Sequence, residues 1–168
     1  MALPDPRARL RVVESAPARA TADGERLKIP EGRYVLRCVE QVIRFSPVYG
    51  RPNLVLDLEV LADASGCSSQ LDRFRVRWFG PLPSNYKRTR PGQFSKAARL
   101  WSLVAGRRLA RGERPVYTIF ASKRFRGTVK TVSRSWEKET GPDGRRRPVP
   151  LPDHEHYSIV ESLTEFLG

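Results

Sequence analysis

At 168 residues the chain is long enough for one domain with an ordinary core, and its 31 basic against 18 acidic side chains give a net charge of +13 that favours anionic partners. Two cysteines, Cys38 and Cys67, provide neither a disulfide framework nor a zinc spacing and fit a reducing cytoplasm. No apolar run reaches transmembrane length, the N-terminus lacks a secretory apolar core, and no basic amphipathic helix or lipidation signal argues for a membrane surface.

The charge is unevenly spread. Residues 1–70 hold 10 basic and 9 acidic side chains, residues 71–134 hold 17 and 2, and residues 135–168 hold 4 and 7. An excess confined to the middle of the chain reads as a binding surface, with nucleic acid as the first candidate partner. Arginine outnumbers lysine 25 to 6. A guanidinium fork matches phosphate and stacks on bases, although a GC-rich genome is the better account of the bare ratio, but not of the clustering.

In chain order, residues 1–27 mix Pro, Arg, Ala, Asp and Glu without periodicity and read as a flexible tail. A Pro30 and Gly32 turn feeds a first strand, Tyr34–Phe45, with neither parity uniformly apolar, which predicts strong curvature. The following loop carries Tyr49 and Arg51. Asn53–Leu61 is a second strand, with Leu54, Leu56, Leu58 and Val60 on one face and Asp57 and Glu59 on the other.

A turn at residues 63–69 leads to the third strand, which spans Asp72–Trp78 and ends beside Phe79. Phe74, Val76 and Trp78 share one parity; Arg73, Arg75, Arg77 and Phe79 share the other. Three guanidiniums in one row repel unless something anionic lies across them. Asp57 and Glu59 across the hairpin are the structural alternative, but two carboxylates cannot neutralise three cations.

The long loop Gly80–Gly92 contains Tyr86, Lys87, Arg88 and Arg90, a second contact segment. Ser95–Ala105 is a helix with Phe94, Ala97, Ala98, Trp101, Val104 and Ala105 at amphipathic spacing, Ser95 as N-cap and Gly106 as terminator. Arg107, Arg108, Arg111 and Arg114 trail it and suit its dipole. Val116–Ala121 reads as a fourth strand, Ser122–Gly127 as a basic turn with Lys123, Arg124, Phe125 and Arg126, and Thr128–Arg134 as a fifth strand with Lys130 and Arg134 on one parity. Trp136–Pro152 reads as a loop with the patch Arg145–Arg147, Tyr157–Val160 as a last short strand, and residues 161–167 fit no single period.

Three strands, a helix and two more strands is the order of an all-β, five-stranded Greek-key barrel of the OB type, with the helix between strands 3 and 4. The domain expectation is a tail at 1–27, a barrel at 28–134, and residues 135–168 packing on it. Such barrels bind oligonucleotides on the face of strands 2 and 3 and with the first–second and fourth–fifth loops. Those places here are Arg73, Arg75, Arg77 and Phe79; Tyr49 and Arg51; and Lys123, Arg124, Phe125 and Arg126. Tyr49, Phe79, Tyr86 and Phe125 are the stacking candidates, while Phe74, Trp78 and Trp101 go to the core.

The turn Ile29-Pro-Glu-Gly-Arg-Tyr34, the strand Leu54-Val-Leu-Asp-Leu-Glu-Val60 and a helix ending at Ala105-Gly106 resemble the single-stranded DNA-binding OB proteins of phages and bacterial mobile elements. The resemblance covers residues 28–134. It implies sequence-tolerant binding of single-stranded DNA in replication, recombination or mobile-element maintenance. The chain departs from many bacterial single-strand binders in lacking a long acidic, glycine-rich C-terminal tail and in its more basic third strand and loop.

The alternative classes are a basic β-barrel adaptor in a nucleoprotein or virion assembly, and an RNA-binding module. DNA is preferred to RNA, since nothing in the sequence reads a 2′-hydroxyl. A homo-oligomer is compatible with the sequence. No enzyme is expected: there is no nucleophile motif and no phosphate-cradling glycine loop. The pair His154 and His156, between Asp153 and Glu155, reads as solvated surface, and no metal or other cofactor is expected.

Overall fold

A computed structural model describes residues 28–46, 49–63, 74–137 and 147–168. The predicted tail at 1–27, Cys67, Arg73 and the side chains of Arg145, Arg146 and Arg147 lie outside that description.

The strands are β1 (Gly32–Ser46), β2 (Arg51–Asp63), β3 (Arg75–Pro81), β4 (Arg124–Val132), β5 (Arg134–Glu137), β6 (Arg147–Pro150) and β7 (Tyr157–Phe166), and the helix α1 is Lys96–Ala105. Five strands pair in the order β1-β2-β3-β7-β4, and β4 pairs back onto β1, so the sheet closes on itself. The β3–β7 pairing is parallel; the other four in the ring are antiparallel. β5 and β6 form a separate two-stranded ladder.

Alternation builds the ring. Along β3, Val76 and Trp78 point inward and are buried, while Arg75 and Phe79 are exposed. Leu54, Leu56, Leu58 and Val60 of β2 fill the interior against Leu36, Phe125, Val129 and Val160. β1 is long and uneven because its register against β2 shifts between Val35 and Leu36 and again between Cys38 and Glu40; such bulges bend a strand.

The helix starts where Ser95 Oγ accepts the amide of Ala98 at 3.2 Å and stops at Gly106, whose φ of 68° only glycine adopts without strain. Ala97, Ala98, Leu100 and Trp101 bury its inner face. Phe94, expected on that face, precedes the cap and is 74% exposed.

Three expectations are corrected. Val116–Ala121 is not a strand: Tyr117–Phe120 is one turn of 3-10 helix, with Ile119 N–H donating to Val116 O and Ala121 N–H to Thr118 O. Its rings explain the change, because Phe120 is fully buried and Tyr117 nearly so. The supposed turn Ser122–Gly127 instead enters β4 at Arg124, after Ser122 turns the chain at φ 60°. Gly127 serves contact and not turning: a Cβ there would lie 2.8 Å from Ser162 O and 2.8 Å from Leu163 Cδ2. Finally, Thr128–Arg134 is no separate fifth strand. Its first part completes β4, Arg134 opens β5, and the fifth strand of the closed sheet is β7, ten residues long and reaching well past Val160.

Candidate functional site

The outer side of β1–β4 is built by strand parity. Cross-strand register puts Arg75 opposite Glu59, Glu59 opposite Arg37, and Arg37 opposite Arg124. One transverse row therefore carries three guanidiniums and a single carboxylate. Arg37 Nη2 holds Glu59 Oε2 at 2.5 Å, while Arg75 and Arg124 are exposed and make no ion pair among the described residues.

The next row carries one guanidinium and two carboxylates and is net negative. Arg77 faces Asp57, and Asp57 faces Glu40. Arg77 Nε donates to Asp57 Oδ1 at 2.8 Å, in a pair where the carboxylate is mostly buried. A third row is apolar: Val42 and Val55 are buried beside Phe79, whose ring remains 38% exposed. Charge and a flat ring thus occur two and four residues apart along β3.

At the end of the β1–β2 hairpin, Tyr49 is half exposed with the Arg51 guanidinium 5.8 Å from its ring centre. On β4 the cations meet acids of β7: Arg126 pairs with Glu165 at 2.5 Å, and Lys130 with Glu161 at 2.7 Å. The hydrogen bond from Lys130 holds the Glu161 carboxyl below its ordinary range. Lys123 is half-buried, its ammonium 5.7 Å from the ring centre of Phe166. Arg134 is exposed at the start of β5.

Phe125 is the clear correction among the stacking candidates. It alternates inward on β4, is completely buried and packs against Phe166 at 5.9 Å, so no base can reach it. The loop joining the fourth and fifth strands of the closed sheet is correspondingly not 122–127 but the segment between β4 and β7. Tyr86 is half-buried and packs against the core, which leaves it a smaller face than expected.

A second cationic region surrounds α1. Residues 86–114 contain nine basic side chains and one acid, Glu113. Arginine-to-carbonyl bonds pin the loop onto the segment after the helix: Arg114 Nη1 donates to Lys87 O at 2.6 Å, and Arg90 Nη1 to Ala110 O at 2.8 Å. Lys87 and Arg88 point to solvent. Glu113 is locked by both terminal nitrogens of Arg107 and by the amide of Ala110. Those bonds, Arg107 first, hold its carboxyl down to about 2. The Arg107 guanidinium also lies 5.0 Å from the ring centre of Trp101, closing one edge of the core.

Glu59 was expected across the hairpin from the third-strand arginines, but the strand patterns alone did not place Arg37 in the same row, because the bulges in β1 set its register. Phe94 was assigned to helix packing and Arg108 to helix polarity, and Arg99 was not singled out. The available signal was that Phe94 precedes the Ser95 cap and so lies off the helical face.

Among the described residues no group of three His, Cys, Asp or Glu side chains could hold a metal ion. His156 Nε2 lies 3.0 Å from Leu151 O, and His154 is exposed. Burial, with Asp57 and Glu40 nearby, pushes the Cys38 thiol up to about 12, so it is protonated at neutral pH. No described helix is long and apolar enough to cross a membrane. Comparison with protein-family models, with curated proteins and with solved structures gave no match.

Proposed function

We propose that the closed sheet is a barrel of the OB type and that it binds single-stranded nucleic acid, DNA in preference to RNA, across the outer side of β1–β4. The parallel β3–β7 pairing within an otherwise antiparallel ring, and a helix inserted between the third and fourth strands of that ring, support the fold reading. The observation that carries the function is the row Arg75–Glu59–Arg37–Arg124. Three guanidiniums around one carboxylate leave two charges that a polyanion neutralises with release of its counterions.

Phe79 supplies the other half. An exposed ring on a bed of Val42 and Val55 offers a flat apolar face to a base, a contact that is sequence-tolerant and worth about 1–3 kcal/mol. Tyr49 with Arg51 extends the same chemistry to the hairpin end. The cations of Arg126 and Lys130, already paired with β7 carboxylates, contribute less than their positions in the sequence suggest.

The test is a comparison of wild type with an Arg75→Ala/Arg124→Ala double variant, titrated with a single-stranded oligonucleotide across a salt series. Loss of two phosphate contacts lowers the magnitude of the salt slope by about 1.4, at roughly 0.7 per contact. An unchanged slope removes the row from the interface.

A further inference from the structure

An open cleft of about 380 Å³ lies between the Arg90–Phe94 turn, α1 and the segment after it. Arg90, Arg99 and Arg108 reach it from three separate pieces of chain, and Phe94, Ser102 and Leu109 also line it. Among the described residues no carboxylate lines the cleft. The nearby Glu113 is already spent on Arg107 and the Ala110 amide, so it cannot neutralise these cations. Arg99 and Arg108 are exposed, and their guanidiniums make no hydrogen bond or ion pair among the described residues. Arg90 is held in place by Ala110 O.

The two free forks converge without an internal counter-charge, and like charges held together favour a bound anion. Phe94 adds a second, different requirement. It is the most exposed large hydrophobic side chain described, at 74%, and it borders the same cleft. An aromatic face beside a cluster of guanidiniums suits a ligand that has both a flat ring and a phosphate. The volume lies within the roughly 300–1,000 Å³ of small-ligand pockets.

We propose that this cleft binds one nucleotide unit, its phosphate held by Arg99 and Arg108 and its base stacked on Phe94. The unit is supplied either as a free mononucleotide or as the phosphorylated 5′ end of a strand. This site is separate from the β1–β4 row and stands whether or not that row binds nucleic acid.

Calorimetric titration of the full chain with adenosine monophosphate, inorganic phosphate, and matched oligonucleotides with and without a 5′ phosphate tests it. Saturable binding of the mononucleotide is expected, with at least tenfold loss in Arg99→Gln/Arg108→Gln. Phe94→Ala is expected to weaken the mononucleotide and leave inorganic phosphate unchanged. If the 5′ phosphate strengthens oligonucleotide binding and the glutamine variant abolishes that gain, the strand end is the source; saturable binding of the mononucleotide without that gain assigns the free nucleotide. All three side chains are exposed, and circular dichroism verifies that the variants stay folded.

The Arg75→Ala/Arg124→Ala variant should bind the mononucleotide as wild type does, which separates this site from the sheet face. Absence of saturable mononucleotide binding at millimolar concentration overturns the proposal. So does an affinity unchanged by the glutamine variant, or tighter arginine-dependent binding of a phosphoserine peptide than of the mononucleotide.

Discussion

Arg37 stands directly opposite Arg124 across the β1–β4 ladder and directly opposite Glu59 across the β1–β2 ladder. Its one carboxylate partner is therefore shared with a row that also contains Arg75. Glu59→Gln removes the only anion of that row. Like charges facing each other on a sheet destabilise it, so stability should fall by about 0.5–1 kcal/mol at low salt. The loss should shrink in high salt, where surface charges are screened. Thermal melts at two salt concentrations measure this, and the same variant should bind single strands more tightly.

Phe79 and Phe125 should respond oppositely to alanine. Phe79→Ala keeps the fold and costs about 1–3 kcal/mol of single-strand affinity. Phe125→Ala empties part of the core and costs about 3–5 kcal/mol of stability. Denaturant melts and binding titrations on both variants separate the two effects.

Much of the site's strand framework was legible because alternation is a local signal. The parities of β2 and β3 could be read directly, and the Ser95 cap and Gly106 stop bounded α1. What was not legible depended on contacts distant in sequence. Val116-Tyr-Thr-Ile-Phe120 has strand-forming residues, yet burial of Tyr117 and Phe120 bends it into a 3-10 turn. Gly127 has the look of a turn residue, and only the proximity of Ser162 and Leu163 explains why glycine stands in mid-strand. The rows of the candidate face depend on the β1 bulges, whose positions no local pattern fixes.

Gly127→Ala tests that reading of β4. The added methyl group meets a backbone carbonyl that cannot swing away, as well as Leu163 and Leu36. The expected cost is about 1–3 kcal/mol, measured by urea denaturation. A neutral effect would mean that β4 and β7 separate there easily.

Glu113 predicts the response to acid. Its folded-state value of about 2 lies below its ordinary 4.5. It therefore contributes stability that is fully present above about pH 4.5 and is lost as the pH falls toward 2. The loop that Arg107 and Ala110 anchor should loosen in that window, and Glu113→Gln should abolish the transition. Carboxyl chemical shifts followed by NMR report it directly.

The central claim is that guanidiniums on the outer side of β1–β4 neutralise the phosphates of a single strand. Anisotropy titration of a labelled single-stranded DNA oligonucleotide over a range of salt concentrations tests it most directly. With about five phosphates neutralised, log K should fall linearly against log salt with a slope of about −3 to −4. An affinity indifferent to salt, or no binding at low salt, would contradict the account.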